Sequence, residues 1–324
     1  MTRAAVLVIW NVALTILLLL PLEIGVRYFY REPYRRTSPG LHQSAKAVWI
    51  DPDDDLGWTV TRSAEFGALE QVPYQINRQG FRDARDFTSK EAGGSRRAVV
   101  LGDSFTFGVH LPDTEAFPRI LNQFLGTGWD VVNMGVPGYG IDQMVLAYDK
   151  YRDVLKPKVV LLVFIAEDIE RVFEAYRSAE GLSKPSFDLF RGKLRPRVPA
   201  AGSVFDPLLD SSRVANVIYF NGYRPWQSRR ISQAFVRRLA DSVAAHHAQL
   251  VVAQYPMLDR KTKRLTHVTG VFERDLSDMG VIYIDLINVF EGKGDPARFF
   301  LADGHPNGMA NDLVARALLS GWPR

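Results

Sequence analysis

A chain of 324 residues, 47% hydrophobic and without a long low-complexity tract, can bury one sizeable core with additions. Forty basic against thirty-six acidic residues leave a net charge of +4, too small and too dispersed to argue for a nucleic-acid partner. The absence of cysteine excludes disulfides, thiolate nucleophiles and cysteine metal sites, so covalent chemistry falls to oxygen or nitrogen.

Residues 1–25 read as a transmembrane signal-anchor. From Ala4 to Leu22 only Asn11, Thr15 and Pro21 interrupt the apolar run, and about 19 helical residues at 1.5 Å each reach about 28 Å, close to a bilayer's hydrocarbon core. No small-x-small cleavage site follows Leu20, which favours an uncleaved single-pass anchor over a removed signal. Arg3 precedes the span whereas Arg27, Arg31, Arg35 and Arg36 follow it, so the positive-inside rule alone would keep the body in the cytoplasm.

Residues 26–96 form a polar, turn-rich, membrane-proximal region expected to pack on the following domain. Its Asp51-Pro52-Asp53-Asp54-Asp55 cluster reads as a turn rather than a calcium loop, because the acids are bunched instead of alternating. Ile76 to Asp83 suggests a short strand leaving through a glycine turn.

Residues 97–324 alternate short apolar strands with helical stretches. Ala98–Leu101, Asp130–Asn133, Val159–Ile165, Leu250–Tyr255 and Val281–Leu286 are the strand candidates, and their continuous rather than alternating apolar character suits strands covered on both faces. The expected architecture is α/β, with about five parallel strands between helix layers. Ile231, Phe235, Leu239 and Val243 recur every four residues, giving one apolar helix face. An insertion at about 171–230 breaks the rhythm, with five prolines and several aromatics. Its Arg191, Lys193, Arg195 and Arg197 either grip an anionic substrate or lipid headgroups, or form a solvated basic loop.

The first of these strands runs into Gly102-Asp103-Ser104, which places a hydroxyl at the carboxyl edge of the sheet, where open α/β sheets bind ligands. His305 follows the fifth strand and can reach the same edge. Asp303, two residues earlier in an extended loop, points to the same side and can hold the imidazole in the tautomer that accepts the serine proton. His246 and His247 end a helix, where positive charge suits the dipole. His42, His110 and His267 have no sequence neighbour at metal-ligand spacing, and neither a metal nor an organic cofactor is expected.

Gly102-Asp-Ser-Phe-Thr-Phe-Gly108, Asn133-Met-Gly-Val-Pro-Gly138-Tyr-Gly140-Ile-Asp-Gln143 and Asp303-Gly-His305-Pro-Asn307 resemble three blocks of the GDSL/SGNH hydrolase superfamily, in order over residues 97–324. Leu56-Gly57-Trp58 and Asn77 to Asp83 resemble pieces of its membrane-anchored bacterial members. The resemblance implies a three-layer, flavodoxin-like α/β/α domain and a serine esterase. Ser104 would be the nucleophile, His305 the base and Asp303 its orienting acid, with the N–H groups of Ser104 and Gly138 in the oxyanion hole. It further implies an ester substrate such as an acylated envelope glycan or a lipid. An O-acyltransferase of a surface polysaccharide is the alternative reading. It also implies a catalytic domain outside the cytoplasm, against the flanking arginines.

Two departures stand out. Ala302 occupies the usual position of the acid, three residues before the histidine, and Asp303 lies one step closer. Glu167 occupies the position of the asparagine that serves most members as third oxyanion donor. An ionised carboxylate cannot donate, so either burial keeps Glu167 protonated, or it points elsewhere, or the site is a degenerate glycan-binding scaffold.

Overall fold

The computed structural model describes residues 3–29, 50–63, 65–69, 72–89, 95–174, 176–177, 182–197 and 206–323. His42 and the flanking Arg31, Arg35 and Arg36 lie outside the described residues. The chain opens with helix α1 (Arg3–Phe29), followed by two antiparallel hairpins, β1 (Ile50–Asp53) with β2 (Gly57–Val60) and β3 (Glu65–Leu69) with β4 (Val72–Gln75).

The central domain then follows as β5 (Arg96–Gly102), α2 (Ser104–Phe107), α3 (Phe117–Leu125), β6 (Trp129–Gly135), α4 (Ile141–Leu155), β7 (Val159–Phe164) and α5 (Ala166–Arg171). A further hairpin, β8 (Ser186–Phe190) with β9 (Lys193–Arg197), precedes helices α6 (Asp206–Ser211), α7 (Arg213–Ile218) and α8 (Arg224–Ala245). The chain closes with β10 (Gln249–Gln254), α9 (Glu273–Asp278), β11 (Ile282–Asp285) and α10 (Gly308–Ser320).

Five strands form one parallel sheet in the order β11-β10-β7-β5-β6. Successive residues of a strand face opposite sides, and β7 shows why its run is unbroken. Val160, Leu162 and Phe164 enter the core that also takes in Tyr148 of α4 and Phe235 of α8, whereas Val159, Leu161 and Val163 enter the core on the α3 and α10 side. Both faces are dry, as the continuous apolar pattern requires. The stripe Ile231, Phe235, Leu239 and Val243 is buried in the first of these cores.

The hairpin region belongs to that same core through Trp58, Val60, Tyr74 and Phe81. The cluster expected to be a turn is strand β1 as far as Asp53, and only residues 54–56 turn; Asp53 is paired with Lys150 at 2.8 Å and Arg62 at 2.6 Å. The strand anticipated from Ile76 ends at Gln75, and the chain turns at Gly80 with φ +86°. The insertion is also narrower than its sequence suggests, since Arg171 closes α5 and α8 begins at Arg224.

Among the described residues no helix is long and apolar enough to cross a membrane. The large apolar side chains of α1 that are described, including Trp10, Leu14 and Leu17–Leu20, face outward. Its polar residues fold back on the helix, Asn11 Nδ2 donating to Leu7 O at 2.8 Å and Thr15 Oγ1 to Asn11 O at 2.7 Å.

Candidate active site

Three loops at the carboxyl edge of the sheet converge. The β5–α2 turn delivers Ser104 as the first residue of α2, with the preceding Asp103 accepting from the Phe105 N–H at 2.9 Å as helix cap. Close approach is what lets α2 sit there: a Cβ on Gly135, at the end of β6, would meet Phe107 N at 2.3 Å. The β6–α4 loop carries Gly138 at φ +81°, a conformation glycine adopts without strain. Trp58 Nε1 donates to Pro137 O at 3.2 Å, and the Tyr139 hydroxyl donates to Trp58 O at 2.6 Å, so the first hairpin fixes this loop from outside.

The loop after β11 supplies His305, whose Nε2 lies 2.9 Å from Ser104 Oγ across 201 residues of sequence. Its Nδ1 lies 2.7 Å from Asp303 Oδ2, and its own N–H donates to Asp303 Oδ1 at 3.1 Å. An ionised carboxylate only accepts, so Nδ1 carries the proton and Nε2 is left to accept from the serine. Ser104, His305 and Asp303 thus meet as one hydrogen-bonded chain.

His110, which has no sequence neighbour at metal-ligand spacing, joins them. Its Nε2 lies 2.8 Å from the same Asp303 oxygen, and its ring centroid lies 5.4 Å from that of His305. The three side chains present one potential ligand atom each within 4.8 Å of one another, yet hydrogen bonds already explain the contacts. Burial raises the Asp303 carboxyl, but the bonds from His110 and His305 outweigh it and hold the group well below the usual carboxylate range. His110 adopts φ +66°, uncommon for a side-chain-bearing residue, and its N–H donates to the Tyr74 hydroxyl at 2.7 Å. Beside it, buried Arg82 donates to Phe107 O at 2.6 Å and Gly108 O at 2.7 Å, so the hairpin region holds this loop as well. Linear spacing gave no hint of His110, because the contact depends on the turn after α2.

Glu167 stands in the first turn of α5, and its Oε2 accepts from Arg171 Nη2 at 2.8 Å. Burial raises its carboxyl; the Arg171 guanidinium pulls it down and Asp103 pushes it up again, leaving it above its ordinary value. Arg171, read from sequence only as the start of an insertion, is the hub of this side of the site. Its Nη1 donates to Asp103 Oδ2 at 3.1 Å, to Tyr139 O at 3.2 Å and to Asp168 Oδ1. One guanidinium therefore ties together the three loops that carry Ser104, Gly138 and Glu167. The available signal was the i, i+3 and i+4 spacing of Glu167, Asp168 and Arg171 on one helix. Burial and the neighbouring Asp103 push the Asp168 carboxyl well above its ordinary value, although Arg171 pulls the other way.

Elsewhere, His246 caps α8 with Nδ1 2.7 Å from Ser242 O, and His267 Nε2 lies 3.5 Å from Asp285 Oδ2. Arg195 lies with its guanidinium 4.4 Å from the Phe190 ring centroid in the β8–β9 hairpin.

In comparison with known proteins, residues 99–318 match the sequence family described as GDSL-like lipase/acylhydrolase. No curated protein matches the chain. Among solved structures, a member of the lipolytic protein G-D-S-L family from Veillonella parvula is 12% identical, with 71% of this chain and 100% of that chain covered and a TM-score of 0.45. The esterase EstA from Pseudoalteromonas is 13% identical over 70% of this chain and 96% of that chain, with a TM-score of 0.43. A GDSL-like lipase from Bacteroides thetaiotaomicron is 13% identical over 71% and 89%, with a TM-score of 0.40.

Proposed function

The chain belongs to the GDSL-like lipase/acylhydrolase family, and from that premise we propose that it cleaves ester-linked acyl groups through an acyl-enzyme on Ser104. The contact that carries this reading is the 2.9 Å approach of Ser104 Oγ to His305 Nε2. The Ser104 proton passes to Nε2 as Oγ attacks the ester carbonyl. The tetrahedral oxyanion is met by the N–H groups of Ser104 and Gly138, and its collapse expels the alcohol, which takes the proton from His305. Water then repeats the sequence and releases the acid.

The substrate class is an acylated envelope glycan, and the protein is held at a membrane by α1 with its catalytic domain outside the cytoplasm. Support for the anchor is the apolar run from Ala4 to Leu22, with its described side chains outward and its polar groups bonded to their own helix. A reporter fused at Arg324 and active only outside the cytoplasm is the expected result; activity only inside reverses the orientation. Incubation with an acylated glycan separates hydrolase from acyltransferase, since the former releases free acid and the latter moves the acyl group to another sugar hydroxyl.

A fluorophosphonate probe is expected to label the wild-type chain and not Ser104→Ala. Equal labelling of both, or labelling of neither, would remove the nucleophile from the proposal. Glu167→Asn should raise kcat on p-nitrophenyl acetate about tenfold, equivalent to about 1.4 kcal/mol of added transition-state stabilisation, by placing an amide donor where a carboxylate now stands. An unchanged or lower kcat would show that the carboxylate is no handicap.

A further inference from the structure

Resting on the reading of α1 as an anchor, we propose that the segment from α6 to the start of α8 is a second membrane contact, an aromatic and basic platform that lies in the anionic headgroup layer beside that anchor.

Its position follows from one side chain. Glu23, the residue after the apolar run of α1, accepts from the backbone N–H groups of Arg213 at 2.7 Å and Val214 at 3.0 Å and from the Ser212 hydroxyl at 2.9 Å. It thereby caps the N-terminus of α7 from 190 residues away. Arg27, one turn further along α1, donates to Ser211 O at 2.7 Å. The beginning of α7 is therefore fixed at the level where the span ends.

From that point the chain presents an apolar and aromatic surface with nothing described covering it. Leu208, Ile218, Tyr223 and Trp226 are 53%, 63%, 41% and 51% exposed. Tyr219 stacks on Tyr223 with centroids 5.6 Å apart, and the Arg230 guanidinium lies 4.7 Å from the Trp226 ring centroid. Of the six arginines between Ser212 and Ala240, Arg224, Arg237 and Arg238 pair with Glu174, Asp275 and Asp149, whereas Arg213, Arg229 and Arg230 have no acidic partner among the described ion pairs. Exposed aliphatics among Trp, Tyr and such arginines are what a headgroup layer rich in anionic lipid accommodates. The opposite face of α8 is buried in the domain core, so the platform is rigidly part of the catalytic body. Arg224, at the start of α8, pairs with Glu174 at 3.1 Å and so ties the segment to the chain just after α5.

The absence of native cysteine makes the test direct. Single Ile218→Cys, Leu14→Cys and Lys293→Cys chains, labelled with bimane, are reconstituted at full length into phosphatidylcholine vesicles with or without phosphatidylglycerol, and brominated lipid is used as quencher. The label at 14 reports the anchor, that at 218 the platform, and that at 293 an exposed reference on the domain. We expect roughly half the emission to be lost at 14 and at 218, the latter only with phosphatidylglycerol, and little loss at 293. Quenching at 14 with 218 behaving like 293 overturns the platform and leaves the anchor. No quenching at either site overturns both. Protection of 218 from brominated lipid and from aqueous iodide alike would show that a protein surface, not lipid, covers the segment.

Discussion

Replacing Asp303 by Asn is expected to lower kcat about 10³-fold while leaving KM within a few-fold, because the substituted amide can donate to His305 Nδ1 and so select the tautomer in which Nε2 holds the proton. A fully buried orienting aspartate is worth about 10⁴ in comparable relays. Asp303 is 39% exposed and shared with His110, so the smaller figure applies here. The carboxyl is held well below the usual carboxylate range, and it stays ionised wherever His305 can act as a base. The acid limb of the wild-type pH–rate profile therefore does not report Asp303. Steady-state kinetics on a model ester check this, and a loss under tenfold would mean that His305 keeps its orientation without the acid.

Arg171→Met is expected to act on stability first. Asp103 and Asp168 have side chains 1% and 0% exposed, and removing their common cation leaves two buried carboxyls with backbone donors but no counter-charge, a loss of about 3–5 kcal/mol. For a domain of this size that is a fall in Tm of about 10 °C. The sign of the pH dependence follows from Asp168. Its carboxyl is raised in the folded chain, so its contribution is fullest at low pH and is lost as pH rises through the folded value, and without Arg171 that value rises further. The variant's deficit is then smaller at about pH 5 than at about pH 8. Arg171→Lys keeps the charge but cannot span four acceptors with one ammonium, so it should recover part of the Tm and little of the kcat. A Met variant melting within about 2 °C of wild type would show that the three loops hold their places unaided.

Much of this protein was determined by local sequence. The five strands lie where the apolar runs put them, and β5, β7 and β10 show why, since a strand covered on both faces has no polar side to show, whereas β11 is a partly exposed edge. The apolar stripe from Ile231 to Val243 faces the core for the corresponding helical reason. Ser104, His305 and Asp303 were legible because a turn ending a buried strand and a short Asp-Gly-His loop advertise themselves over a few residues. Tertiary structure alone decided the rest. His110 reaches Asp303 only through the left-handed turn that Tyr74 and Arg82 hold, and although the Asn77–Asp83 piece stood out in the sequence, nothing in it named that turn as its partner. Arg171 gathers acceptors from two other loops, at Asp103 and Tyr139, besides Glu167 and Asp168 of its own helix, and Glu23 caps a helix far along the chain. Helical spacing marks the pairs of Arg171 with Glu167 and Asp168, but the long-range contacts depend on side chains whose partners are chosen by how the sheet brings loops together, and a residue's neighbours in sequence hold no record of that choice.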